Sequence, residues 1–178
     1  QEAMTTRQVA LAAAANEVNT GLWNFLSEDA LRSRRRDNPT FTHYETVTVV
    51  AHSGGCVVSL AALKSKDLER ILAQGLDSPF KRPRRINWVT AGSGLNLAWN
   101  VRFGQNPLDK TLWCGELENV NWLNLYSRYD PVPQGPPPPK MVMEVSGQDP
   151  ECTDPLGDSS LPRPPFVGIR VVNSDSSW

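Results

Sequence analysis

Long apolar runs are missing from this chain: none reaches the roughly 18 residues that span a bilayer. The first residues lack a charged start followed by an apolar block, so no secretory signal is expected in them. Charge of one sign is not in excess. Lys and Arg number 18 against 19 Asp and Glu, for a formal net charge of -1. That balance gives no overall drive toward nucleic acid or an anionic membrane. Cysteine is scarce, with Cys56, Cys114 and Cys152 in no regular spacing. An odd, irregular set excludes a disulfide framework, and no CxxC or Cys/His cluster points to zinc. One disulfide still fits the count, so the compartment stays open, with the cytoplasm favoured. The phosphate-cradling spacings G-x-x-x-x-G-K-[ST] and G-x-G-x-x-G are both absent, which speaks against a nucleotide-binding α/β protein. Histidine occurs only at His43 and His52. There is no internal repeat.

What is present is an ordinary globular balance over 178 residues, enough for one domain with its own core. Met4 to Leu31 predicts a helix, capped at Thr5 or Thr6 and rich in alanine. Its buried stripe would be Val9, Ala13, Val18, Leu22 and Phe25, with Asn19-Thr20-Gly21 as a potential break. Arg32 to Thr42 reads as a loop. Two basic runs, Arg32 to Arg36 and Lys81 to Arg85, read first as solvated loop. An anionic surface such as a membrane headgroup layer is the other reading.

Glu45 to Ala51 is rich in β-branched residues and predicts a strand. His52-Ser53-Gly54-Gly55 breaks it, and Cys56 to about Gln74 predicts a helix facing inward through Val57, Leu60, Ala61 and Leu63. Further strands are predicted at Ile86 to Ala91, Val120 to Ser127 and Val167 to Asn173. Between the first two of these, Leu95 to Leu112 reads as a short helix and then irregular chain. Pro136 to Pro139 reads as a stiff extended spacer, and Gln148 to Pro165 as loop. Strands alternating with helices imply an α/β fold, a mostly parallel sheet with flanking helices. The division is 1–43 helix and loop, 44–135 strands with the chemistry, 136–165 Pro-rich loop, and 166–178 last strand, all one domain.

The segment that carries chemistry is Val49-Val50-Ala51-His52-Ser53-Gly54-Gly55. A serine on a tight turn between a strand and a helix is exposed at the strand's carboxyl end. Small residues two before and two after it suit a place where strand and helix crowd. The helix N-terminus turns backbone N–H groups toward a reacting carbonyl, which makes the Gly54 N–H an oxyanion donor candidate. This segment resembles the nucleophile elbow G-x-S-x-G, with Ala51 in the first glycine position. The chain thus resembles the α/β-hydrolases, especially lipase- and esterase-like members, over about residues 44 to 174. Trp88 to Gly94 looks like that family's next strand and small-residue loop. Trp122 to Tyr126 followed by Asp130-Pro131-Val132 looks like the strand and loop that carry its acid.

The resemblance implies hydrolysis of a small-molecule or lipid ester by Ser53 through an acyl-enzyme, with Asp130 as the acid and no metal or organic cofactor. Asp-Pro is also a common turn starter, which is the bland account of Asp130. The pattern fails in two places. The family's histidine follows the last strand, and here five residues follow Asn173. The strands that precede the elbow are missing too, and four strands leave much of the usual core unpaired. His43 lies ten residues before Ser53, about 33 Å away in extended chain and at the wrong end of the sheet. His52 neighbours the serine, but consecutive side chains diverge, so it is expected to pack or hydrogen-bond beneath the site. The chain, which begins at Gln1 rather than Met, therefore reads as a processed, trimmed or internal piece of a longer enzyme whose histidine lies beyond Trp178. The alternative is a catalytically inactive α/β-hydrolase-like binding or scaffolding module, docking through the proline run or the basic segments. Trp99 and Phe103 are read as core residues, with a pocket wall as the second option.

Overall fold

Strands that are apolar on both faces pair in parallel when each is followed by a crossover helix. The computed structural model describes residues 6–44, 46–65, 85–100, 112–113, 117, 120–127, 129–133, 135–145 and 168–173. Its elements in chain order are α1 (Thr6–Leu26), α2 (Glu28–Asp37), β1 (Thr46–His52), α3 (Gly55–Leu63), β2 (Arg85–Ala91), α4 (Leu95–Asn100), β3 (Val120–Tyr126), α5 (Pro139–Val145) and β4 (Gly168–Asn173). The four strands form one sheet in the order β1-β2-β3-β4. Every pair is parallel. The expected α/β architecture is the observed one, and each expected strand lies within a residue or so of its observed span.

Register decides which side chains share a face. Val49 pairs with Trp88 and Trp88 with Trp122. Alternation then places Ile86, Trp88, Thr90, Val120, Trp122 and Asn124 on one face, and all six are buried. Cys56, Leu60 and Leu63 of α3, Leu95 of α4, and Met141 and Val145 of α5 join that face in one cluster. The reason is topological. The strand order advances one step at a time in one direction, so crossovers of one hand put their helices on one side of the sheet. The other face carries Val50, Val89, Leu123 and Leu125, all at least partly exposed, and Val50 is 72% exposed.

The polar side chains around the two core tryptophans are partnered, whereas Asn19 Oδ1 on α1 is buried with no partner among the described residues. The rings of Trp88 and Trp122 stack at 4.6 Å. Trp88 Nε1 donates to Ser59 Oγ at 2.8 Å, and Ser59 Oγ donates to the Cys56 carbonyl at 3.0 Å. Trp122 Nε1 donates to Thr90 Oγ1 at 2.8 Å, and Thr90 Oγ1 donates to Asn124 Oδ1 at 2.6 Å. Burying indole N–H groups without acceptors would cost about 1–3 kcal/mol each. The network lies directly under the sheet's carboxyl edge.

The N-terminal region departs from expectation. There are two helices, not one, and the break is at Ser27 rather than at Asn19-Thr20-Gly21. Thr20 Oγ1 donates back to the Asn16 carbonyl at 2.9 Å, so its hydroxyl is satisfied inside the unbroken helix. Ser27 is extended and its Oγ accepts from Ala30 N–H, with Glu28 and Asp29 in the first turn and Arg34, Arg35 and Arg36 in the last. Both ends suit the helix dipole. Arg32 to Arg36 is therefore helix, not loop. Arg34 lies 5.0 Å from the Phe25 ring and 5.5 Å from the Tyr44 ring, bridging α1 to the approach to β1.

The proposed stripe of α1 is also corrected. Val9 and Phe25 are each 54% exposed, while Ala15 and Asn19 are buried. Asn19 Nδ2 donates to Ser65 Oγ at 2.7 Å, locking α1 against the end of α3. Leu22 packs on the core as expected. The helix after Ser53 is described to Leu63, and residues 66–84 lie outside the described residues. Pro139 opens α5 rather than continuing an extended run, a position where its fixed φ and missing N–H suit the first turn. Trp99 packs against the core. Phe103, Lys81 to Arg84, the Gln148 to Pro165 loop, Cys114 and Cys152 lie outside the described residues. No described helix is long and apolar enough to cross a membrane.

Candidate functional site at the carboxyl edge of the sheet

Parallel strands present their carboxyl ends, with the loops that follow, at one edge, and ligands of open α/β sheets bind there. β1 ends in His52 and turns at Ser53. Ser53 has φ 52°, the only non-glycine with positive φ among the described residues. That conformation costs an L-residue about 1–2 kcal/mol. It persists because both backbone groups of Ser53 are held. Its N–H donates to the Ala91 carbonyl at 3.3 Å, and its carbonyl accepts from Gly94 N–H and Cys56 N–H, each at 3.1 Å. The hydroxyl stands on a half-buried residue between a parallel strand and α3.

The small residues around the turn differ in their reasons. Ala51 is buried, as the elbow requires. Gly55 is not crowded: a Cβ there would meet nothing within 4 Å, which corrects the expectation that strand and helix press on it. The crowding falls on Gly94, where a Cβ would stand 3.2 Å from the Ser53 carbonyl oxygen. Gly54 N–H forms no backbone hydrogen bond among the described residues, as an oxyanion donor would require.

Asp130 sits in the loop after β3. Its N–H donates to the Ser127 carbonyl at 3.1 Å, and its Oδ1 accepts from Val132 N–H at 2.9 Å, an Asx turn. Asn96, buried on α4, clamps the next residues. Its Nδ2 donates to the carbonyls of Pro133, Gly135 and Pro136, the last two at 3.2 Å. The Asp-Pro sequence is thus a turn starter, and its carboxylate also faces the strand edge.

His52 is placed differently from expectation. It is exposed rather than packed beneath the site. A Cβ on Gly92 would stand 3.3 Å from His52 Nε2 and 3.0 Å from Asp130 Oδ2. His52, Gly92 and Asp130 therefore meet at the ends of three adjacent strands. His43 lies before β1, at the opposite end of that strand. Sequence reasoning missed this meeting, as well as the roles of Gly94 and Asn96. Its one available signal was the small-residue run Gly92-Ser93-Gly94.

Cys56, the second residue of α3, is fully buried and free. Burial pushes its thiol above the ordinary 9.0, opposed by hydrogen bonding to Ser93 and to backbone of Ala91 and Gly94. It serves packing rather than nucleophilic chemistry. Ser93 Oγ in turn accepts from Leu95 N–H at 3.2 Å and starts α4. No family model, curated protein or solved structure matches this chain.

Proposed function

We propose that the protein is a serine hydrolase acting on a carboxylic ester, of a lipid or another acyl compound, through an acyl-enzyme on Ser53. The observation that carries the reading is the positive φ of Ser53 at a strand-to-helix turn on the carboxyl edge of a parallel sheet. Strain of this kind persists where the surroundings enforce it, and it clusters at functional sites. Ser53 would attack the acyl carbonyl. The Gly54 N–H would take the developing oxyanion. Asp130 would orient and stabilise the imidazole that accepts the serine proton, because an unassisted hydroxyl is a poor nucleophile. No cofactor enters the scheme, and a membrane surface is a compatible source of substrate.

The test is intact-mass spectrometry of the folded protein after treatment with a fluorophosphonate serine probe. One adduct mapping to Ser53, and absent from Ser53→Ala, is the expected result. No adduct would sink the enzyme reading. A binding or scaffolding module is the second reading, favoured by Val50, which is 72% exposed on a sheet face that no described helix covers.

A further inference from the structure

Asn96 is buried on α4, and its surroundings fix which way its amide points. Nδ2 donates to the carbonyls of Pro133, Gly135 and Pro136, so an amide oxygen in that place would face three others. The grip reaches Asp130 because the chain from Asp130 to Pro133 has little freedom. Pro131 and Pro133 have fixed φ. Val132 N–H donates to Asp130 Oδ1 at 2.9 Å, and Asp130 N–H donates to the Ser127 carbonyl at 3.1 Å. That leaves Oδ2 as the oxygen that comes within 3.0 Å of a Cβ built on Gly92. The same short segment also holds the nucleophile turn. Gly94, two residues before Asn96, donates its N–H to the Ser53 carbonyl at 3.1 Å. Ala98 N–H donates to the Gly94 carbonyl at 3.0 Å, which puts Gly94 and Asn96 in one helical turn.

We propose that Asn96 is a positioning residue for the reaction at Ser53, and that this turn of α4 is the gauge setting the Asp130 carboxylate relative to the nucleophile. The inference rests on the reading of Ser53 as the nucleophile and Asp130 as its acid. Asn96 acts on neither directly. It holds the loop from Pro133 to Pro136, and that loop holds Asp130. Without the amide, three carbonyls lose their donor and the loop is free to shift. Ser53 does not shift with it, because its backbone is bonded separately to Ala91, Gly94 and Cys56.

The experiment is saturation kinetics of fluorophosphonate labelling of Ser53 in the full chain. Asn96→Ala is expected to lower the limiting rate at saturating probe by about 10-fold or more, within the roughly 100-fold that a misplacement of about 1 Å costs. The half-saturating probe concentration is expected to stay unchanged, since no group that meets the probe is removed. Asp130→Asn is expected to slow labelling too. In that background Asn96→Ala is expected to add less than about 2-fold, because both changes act through one carboxylate. Gly135→Ala attacks the same grip from the loop side. Gly135 has φ 103°, so a side chain is strained there although its Cβ would meet nothing within 4 Å. It is expected to reproduce the Asn96→Ala pattern, and it takes the place of that variant should circular dichroism show Asn96→Ala misfolded. Labelling at the wild-type rate would overturn the positioning role and leave the hydrolase reading intact. A loss that persists undiminished in the Asp130→Asn background, or that moves only the half-saturating concentration, would also overturn it, since either marks a general loosening of the fold. A wild-type protein that takes no label would overturn both.

Discussion

Ser53 and Cys56 stand three positions apart and show how environment separates two nucleophilic atoms. The Ser53 backbone is held at φ 52° by three hydrogen bonds. The strain belongs to the backbone, so it can be measured without the hydroxyl. Ser53→Gly and Ser53→Ala both delete that group, but only glycine relaxes at positive φ. Glycine gains about 1–2 kcal/mol of strain relief and loses about 0.5–1 kcal/mol to unfolded-state entropy. Ser53→Gly is therefore expected to be the more stable by up to about 1.5 kcal/mol in urea melts. A more stable Ser53→Ala would mean that the turn is unstrained. Cys56 is the converse case, its thiol raised by burial. Iodoacetamide should leave it untouched in the folded protein at pH 8 and modify it in denaturant. The sign of its linkage follows. The unfolded thiol ionises first, near 9.0, while the folded one keeps its proton. Its contribution is therefore present below that pH and lost as pH rises toward the folded value. Cys56→Ala should flatten the alkaline fall in stability measured by denaturant titration, and an unchanged slope would contradict the assignment.

Among the elements, α2 was the least legible in sequence and the simplest to account for afterwards. Its basic run reads as a charged surface segment because an isolated helix of ten residues, mostly charged, has little stability of its own. The local signal for it is Ser27-Glu28-Asp29, a cap followed by an acidic first turn. Packing of Arg34 on Phe25 and Tyr44 then holds the helix in place. Ser27→Ala is expected to destabilise the protein by about 1 kcal/mol in chemical denaturation. No change would mean that the cap is dispensable and the aromatic packing alone suffices. The strands were legible for the opposite reason, since each is a short β-branched or aromatic run bounded by turn residues. In α1 the helical spacing holds, but the buried stripe is not the most hydrophobic one. Hydrophobicity favoured Val9 and Phe25, whereas contact with α3 buried Ala15 and Asn19, small or hydrogen-bonded residues that allow close approach.

For the molecule as a whole, one sheet face is packed and the other is not covered by any described helix. β1 is also an edge strand among the described residues, uncharged from Thr46 to Ala51 and ending in the candidate site. Such an edge is a template for pairing with another chain. Val50→Lys should leave folding stability within about 0.5 kcal/mol of wild type and reduce self-association in light scattering. A loss of several kcal/mol instead would show that Val50 is covered in the folded protein.

The sequence by itself determined the order and approximate bounds of the four strands and the position of the Ser53 turn. Both follow from residues close in the chain: β-branched runs, a glycine pair, and apolar spacing. Only the tertiary structure decided that His52 and Asp130 both come up to Gly92, that Asn96 clamps the loop after Asp130, and that α2 is anchored by Arg34. The first two depend on the register of three parallel strands, which brings together the ends of segments separated by whole crossovers. Local pattern carries no information about that register. It is fixed by which face buries Trp88 and Trp122, and a slip of one residue would turn both tryptophans to the opposite face and leave their N–H groups without Ser59 and Thr90.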